Sequence, residues 1–162
     1  MTPWIAEANN FGITVARKTA DATVPKAVKS GEPLTEKTET VFYQVTVANT
    51  AFKPSAALKA KYIVFVERQE IGEKAGSEQI EKIKGSADVK ELKPREKETF
   101  STSEIKLKEK GVTGNYIYTS GGRIRAKDSL AGVWVKLYEG ETEVAEYVNP
   151  TTLSNKHKWN VD

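Results

Sequence analysis

"LAGVWVKLYEGETEVAEYVNPTTL" (residues 130–153) is the stretch that decides the fold class of this chain. Val133, Val135 and Leu137 occupy every second position, and Trp134, Lys136 and Tyr138 fill the positions between them. A Glu-Gly-Glu turn follows, then a second alternating run, then a Pro-Thr-Thr break. Period-two alternation of β-branched and aromatic residues marks a strand, and a short glycine-bearing turn between two such runs makes a hairpin.

The same period runs through the rest of the chain. In "FGITVAR", Phe11, Ile13 and Val15 share a side, and in "TVFYQVTVA" Val41, Tyr43, Val45 and Val47 do. Each reads as a strand with one buried face. "AKYIVFVE" has Tyr62, Val64 and Val66 on one side and Ile63 and Phe65 on the other, which predicts a central strand covered in part on its outer side. In "LKPREKETFSTSEIKLK" the parity changes between Phe100 and Ile105, which predicts a bulge after the turn made by Pro94. "NYIYTSGGRIRA" predicts a strand at Tyr116, Ile117 and Tyr118, with Gly121-Gly122 as a turn or a kink.

Helix is scarce. Ile80 and Ile83 in "SEQIEKIKG", with Gly85 as a stop, predict a short helix or turn. Asn149 as a cap and Pro150 at the first helical position predict one or two turns after the last strand. The polar run "TADATVPKAVKSGEPLTEKTET" (residues 19–40) reads as a long connection, functional or mobile, with room for an extra strand in "TVPKAV". The whole predicts an all-β, immunoglobulin-like antiparallel β-sandwich of about seven to nine strands, with at most one or two helical turns. At 162 residues it reads as a single domain over residues 1–162, with a core large enough to need no staple.

Composition narrows the chemistry. Without cysteine there is no disulfide framework, thiol nucleophile or thiolate metal site. Ten basic and ten acidic residues interleave between Glu70 and Lys110, which reads as a solvated surface and argues against nucleic acid as a partner. No window carries the roughly 20 apolar residues of a membrane span. "MTPWIAEANN" has neither the basic nor the apolar region of a signal peptide, and a lone Met1 is compatible with a trimmed export signal and equally with a native cytosolic start.

The only histidine, His157, stands between two lysines and reads as surface decoration, not as a triad member or metal ligand. Glu139, Glu141, Glu143 and Glu146 supply carboxylates near one hairpin but read as a solubilising tip rather than a glycosidase pair. "TSGGR" (residues 119–123) resembles an anion loop in composition, yet alternating residues follow it where a phosphate cradle would open a helix, so it reads as a turn. No catalytic residue, cofactor or metal site is expected.

The aromatics offer the sharpest candidate. If the valine face is core, Trp134, Lys136 and Tyr138 line an outer surface able to stack on sugars, with Arg123 or Lys136 bonding hydroxyls. The opposite assignment buries Trp134 between the sheets. Trp4 and Trp159, near the termini, are placed to close the ends of the core.

The order G-V-W-V, turn, V-A-E-Y, N-P-x-x-L and a distant tryptophan resembles the closing hairpin and cap of exported bacterial sandwich proteins of verrucomicrobial and planctomycete type. "ELKPREKETFSTSEIKL" resembles the proline-led strand of bacterial extracellular immunoglobulin-like domains. The resemblance covers the C-terminal third to half of the chain. It implies an immunoglobulin-like fold, export to the periplasm or cell surface, no catalysis, and a place in or beside a pilus-type assembly. The expected function is therefore protein–protein contact or adhesion with surface or pilus proteins, the alternative being a carbohydrate-binding module on the aromatic strand face.

Overall fold

Strand alternation resolves into two antiparallel sheets in the computed structural model, which describes residues 10–28, 33–113 and 121–161. Among the described residues the elements are β1 (Phe11–Ala22), β2 (Lys26–Ala27), β3 (Leu34–Asn49), β4 (Leu58–Arg68), β5 (Gln79–Val89), β6 (Lys97–Ser101), β7 (Ile105–Val112), β8 (Arg125–Lys127), β9 (Ser129–Glu139), β10 (Thr142–Asn149) and α1 (Leu153–Lys156). The first sheet has the order β1-β3-β7-β8, with β2 and β6 also paired to β3; the second has the order β10-β9-β4-β5. None of the described helical residues forms a helix long and apolar enough to cross a membrane.

The two sheets meet through their alternating apolar faces. Val41, Val45 and Ile105 of the first sheet pack on Tyr62, Val64 and Val135 of the second, and Val47, Leu58 and Leu137 continue the core beside them. Each full burial of a Val or Leu side chain contributes roughly 1.5–3 kcal/mol. Asp128 is buried where the sheets meet, but its carboxylate accepts from the Gln69 N–H (3.2 Å), the Lys108 N–H (3.0 Å) and the Arg68 guanidinium (2.9 Å). With those donors in place its burial is tolerated.

The parity change between Phe100 and Ile105 is a bulge, as expected. Ser101 faces Gln44 and Ile105 faces Val41, so three residues of one strand oppose two of the other. Tyr43 N–H, which has lost its regular partner, donates to Thr102 Oγ1 at 2.9 Å, and Thr102 N–H donates to the Tyr43 carbonyl at 2.9 Å. β4 is apolar on both faces for the expected reason: Ile63 and Phe65 are buried on the outer side beneath the C-terminal segment.

Several expectations need correction. The short helix at Ile80 and Ile83 is strand β5, in unbroken register with β4 from Leu58↔Val89 to Arg68↔Gln79. The two isoleucines fall on opposite faces, Ile80 exposed and Ile83 toward the core, and Gly85 lies mid-strand. Much of residues 19–40 is strand too: β1 runs on to Ala22, β2 is the extra strand at Lys26–Ala27, and β3 begins at Leu34. Those residues look like loop because they are exposed or half-exposed, held by ladder hydrogen bonds and not by burial. The terminal helix is one turn and starts at Leu153, three residues past Pro150, with a cis Asn149–Pro150 bond before it. The expected strand at Tyr116, Ile117 and Tyr118, and Trp4, lie outside the described residues.

Candidate functional site

β9 settles which of its faces is core. Val133, Val135 and Leu137 point between the sheets and are buried, so Trp134, Lys136 and Tyr138 share the outer face of the second sheet. Trp134 is nevertheless only 5% exposed. It is buried under the chain's own C-terminal segment, with Leu153, Trp159 and Val161 packed over Ile63, Phe65 and Trp134. A Cβ on Gly132 would meet the Asn149 carbonyl oxygen at 2.6 Å, so the bare glycine is what lets this strap turn so close over β9.

The indole of Trp134 is fixed at both ends. Its Nε1–H donates to Glu146 Oε1 at 2.7 Å, and its ring meets Trp159 edge to face, centroids 5.3 Å apart at 63°. Lys136 Nζ lies 5.6 Å from the Trp134 ring and 5.1 Å from the Trp159 ring, and bonds Glu143 Oε2 at 3.1 Å. Trp159 therefore closes the outer face and not the ends of the core. Glu143 and Glu146 are exposed and engaged with different partners on β9.

Tyr138 stays half-exposed at the open end of this face, with Lys61 Nζ 5.4 Å from its ring. Beside it lies an open groove of about 790 Å³, bounded by Lys59, Lys61, Tyr138, Glu141, Lys158 and Trp159. Lys59, Lys61, Lys158 and Trp159 were not singled out as site residues from the sequence. A signal existed: in "LKAKYIVFVE" Lys59 and Lys61 have the parity of Ile63 and Phe65, and so belong to the outer face.

Arg123 is brought to a different place. Its guanidinium donates to Glu78 Oε1 (2.7 Å) and the Lys74 carbonyl (3.2 Å), and its backbone N–H bonds the Glu73 carbonyl (2.9 Å). The ion pair holds the Glu78 carboxyl down at about 2. Arg123 thus ties the β4–β5 connection to the segment before β8, while Thr119 and Ser120 of the expected turn lie outside the described residues.

His157 is more than decoration. Its ring lies against Phe65, centroids 4.7 Å apart, with Lys82 Nζ 5.8 Å from the same Phe65 ring. Burial, then the charges of Lys82 and Lys156, push the imidazole below its ordinary value. Among the described residues no three His, Asp or Glu side chains converge as metal ligands would.

No family model matches the chain, and no curated protein does. Among solved structures it is similar to a Bacteroides uniformis β-glucuronidase 2 at 12% identity, covering 83% of this chain but only 12% of that enzyme, with a TM-score of 0.37. It is similar at 12% identity to a protein from Akkermansia muciniphila, covering 90% of this chain and 75% of that one (TM-score 0.33). A structural-genomics target is similar at 11% identity over 96% of this chain and 98% of its own (TM-score 0.36). Likenesses of this size carry no functional inference.

Proposed function

We propose that this chain is a non-catalytic, exported immunoglobulin-like domain that binds an extended segment of another surface protein, in or beside a pilus-type assembly. The observation that carries the reading is the outer edge of β1. Among the described residues no strand is hydrogen-bonded to it, although β10 of the second sheet passes beside it. The Thr50 N–H donates to the Asn10 carbonyl at 2.9 Å, so even-numbered residues of β1 turn toward β3 and the N–H and C=O groups of Ile13, Val15 and Arg17 turn away.

Other edges are guarded in the usual ways. β8 is three residues long, β10 is bulged at Val144, β5 carries Lys82, Lys84 and Asp88, and β6 begins with Lys97 and Glu98. From Gly12 to Ala16, β1 has no charge, no proline and no bulge. An edge of that kind is what an added strand uses.

Arg17→Pro tests this. The Arg17 N–H points away from β3, so proline there removes an outward donor without breaking the ladder. Wild-type protein should retain a partner from surface-protein extracts that the variant, with unchanged circular dichroism, loses. Equal capture by both, or capture of cytosolic proteins alone, overturns the reading.

A second reading, a carbohydrate-binding module on the outer face of β9, draws support from the groove beside Tyr138. Its rings are Tyr138 and Trp159, since Trp134 is covered.

A further inference from the structure

We infer that the groove between Tyr138 and the C-terminal strap takes an acidic oligosaccharide, with sugar faces against Tyr138 and Trp159 and sugar carboxylates on Lys59, Lys61 and Lys158. This rests on the carbohydrate-binding reading and adds the charge of the ligand.

The first support is a violation of sheet electrostatics. Lys61 on β4 stands directly opposite Lys136 on β9, and like charges in register destabilise a strand pair. Glu143 answers only one of them, bonding Lys136 at 3.1 Å. Lys61 is left over the Tyr138 ring, and among the described residues no carboxylate lies within ion-pair distance of Lys59, Lys61 or Lys158. Two like charges in register with a single counter-charge between them leave the Lys61 ammonium beside the Tyr138 ring, placed to meet a negative charge from outside.

The second support is what the groove is made of. Two half-exposed aromatic rings supply flat apolar area, and the space of about 790 Å³ lies in the range of ligand sites. β4 and β9 are interior strands with neighbours on both sides, so their backbone groups are used and an acidic peptide cannot add here as a strand. Glu141 and Glu139 at the hairpin tip interrupt the basic track that a polynucleotide would follow. A carboxylated sugar needs only side chains, and mobile lysine ammonium groups suit carboxylates carried at intervals along a chain.

The test is calorimetric titration of the whole chain with oligomers of galacturonate and of hyaluronate. Methyl-esterified galacturonate serves as the uncharged counterpart, and polyglutamate and a single-stranded oligonucleotide as other polyanions. An acidic oligosaccharide should bind, the ester about tenfold more weakly or not at all. Lys59→Ser/Lys61→Ser, both solvent-accessible positions, should lose about tenfold in affinity. Trp159→Phe should keep binding while the ligand-induced tryptophan emission change disappears. Equal binding of acid and ester would leave carbohydrate binding standing and overturn the assignment of charge. Binding of neither overturns both. Polyglutamate or the oligonucleotide binding as tightly as the sugars makes the groove a charge-only site and overturns the inference.

Discussion

Tyr62 of β4 lies across its register partner Gly85 of β5, so closely that a Cβ built on Gly85 would overlap the phenol ring. That freedom lets one side chain bridge both sheets: the ring stacks on Phe100 at 6.5 Å, and Tyr62 Oη accepts the Ser103 N–H at 2.9 Å. Gly85→Ala should therefore displace the ring and destabilise the fold by about 1–3 kcal/mol in urea unfolding. In a Tyr62→Ala background the same substitution should cost little, because nothing remains to collide with. A Gly85→Ala protein as stable as wild type would falsify the contact's importance.

The bulge at Thr102 makes a second, separable prediction. Thr102 Oγ1 is the acceptor for Tyr43 N–H in place of a ladder carbonyl, and Thr102 is only 5% exposed. Thr102→Val keeps the shape and removes the acceptor, leaving a part-buried donor unpaired at a cost of about 1–3 kcal/mol. Thr102→Ser keeps the oxygen and should cost much less. Hydrogen exchange at the Tyr43 amide should accelerate in the valine variant only; equal protection in both would show that the hydroxyl is dispensable.

Alternation carried most of the fold in advance because a sheet's side-chain period is a property of the residues themselves. Val41, Val45, Val133 and Val135 are core for that reason, and the phase slip before Ile105 could only be a bulge. What the residues did not disclose depends on contacts remote in sequence. β5 looks helical because Ile80 and Ile83 are three apart, and its small inward residues, Gly85 and Ala87, make sense only once the Tyr62 ring fills the space above Gly85. Trp134 posed a choice between core and open platform. The structure offers a third state, outer face but roofed, since the roof is supplied by residues some twenty to twenty-seven positions downstream. The groove was legible only in halves: Tyr138 and Lys136 from the hairpin, but not Lys59 and Lys61, which need the β4–β9 register to place them.

As the only histidine, His157 allows an unambiguous titration. Its folded-state affinity for a proton is lowered, first by burial and then by Lys82 and Lys156. The unfolded chain thus takes up a proton before the folded one does. Stability should be flat above the ordinary value of 6.5 and fall as pH drops from there toward the depressed folded value. Proton NMR of the imidazole should give a midpoint below 6.5. His157→Phe, which keeps a ring against Phe65, should flatten this part of the stability profile; an unchanged slope would place the dependence on another group.

Trp159 roofs Trp134, so removing it should be visible at Trp134. In a Trp4→Phe background, Trp159→Ala leaves a single indole whose emission should move to longer wavelength and become accessible to acrylamide. The stability loss should be about 2 kcal/mol, below the ~3–5 kcal/mol of a buried tryptophan, because Trp159 is itself half-exposed. Glu146→Gln offers a control: the Nε1–H of Trp134 keeps an acceptor, so the emission should hardly change. Were Trp134 packed between the sheets, Trp159→Ala would leave its emission where it was. The size of the shift therefore separates a roofed outer face from a true inter-sheet core, and only the roofed face sets Trp159 as a wall of the groove beside Tyr138.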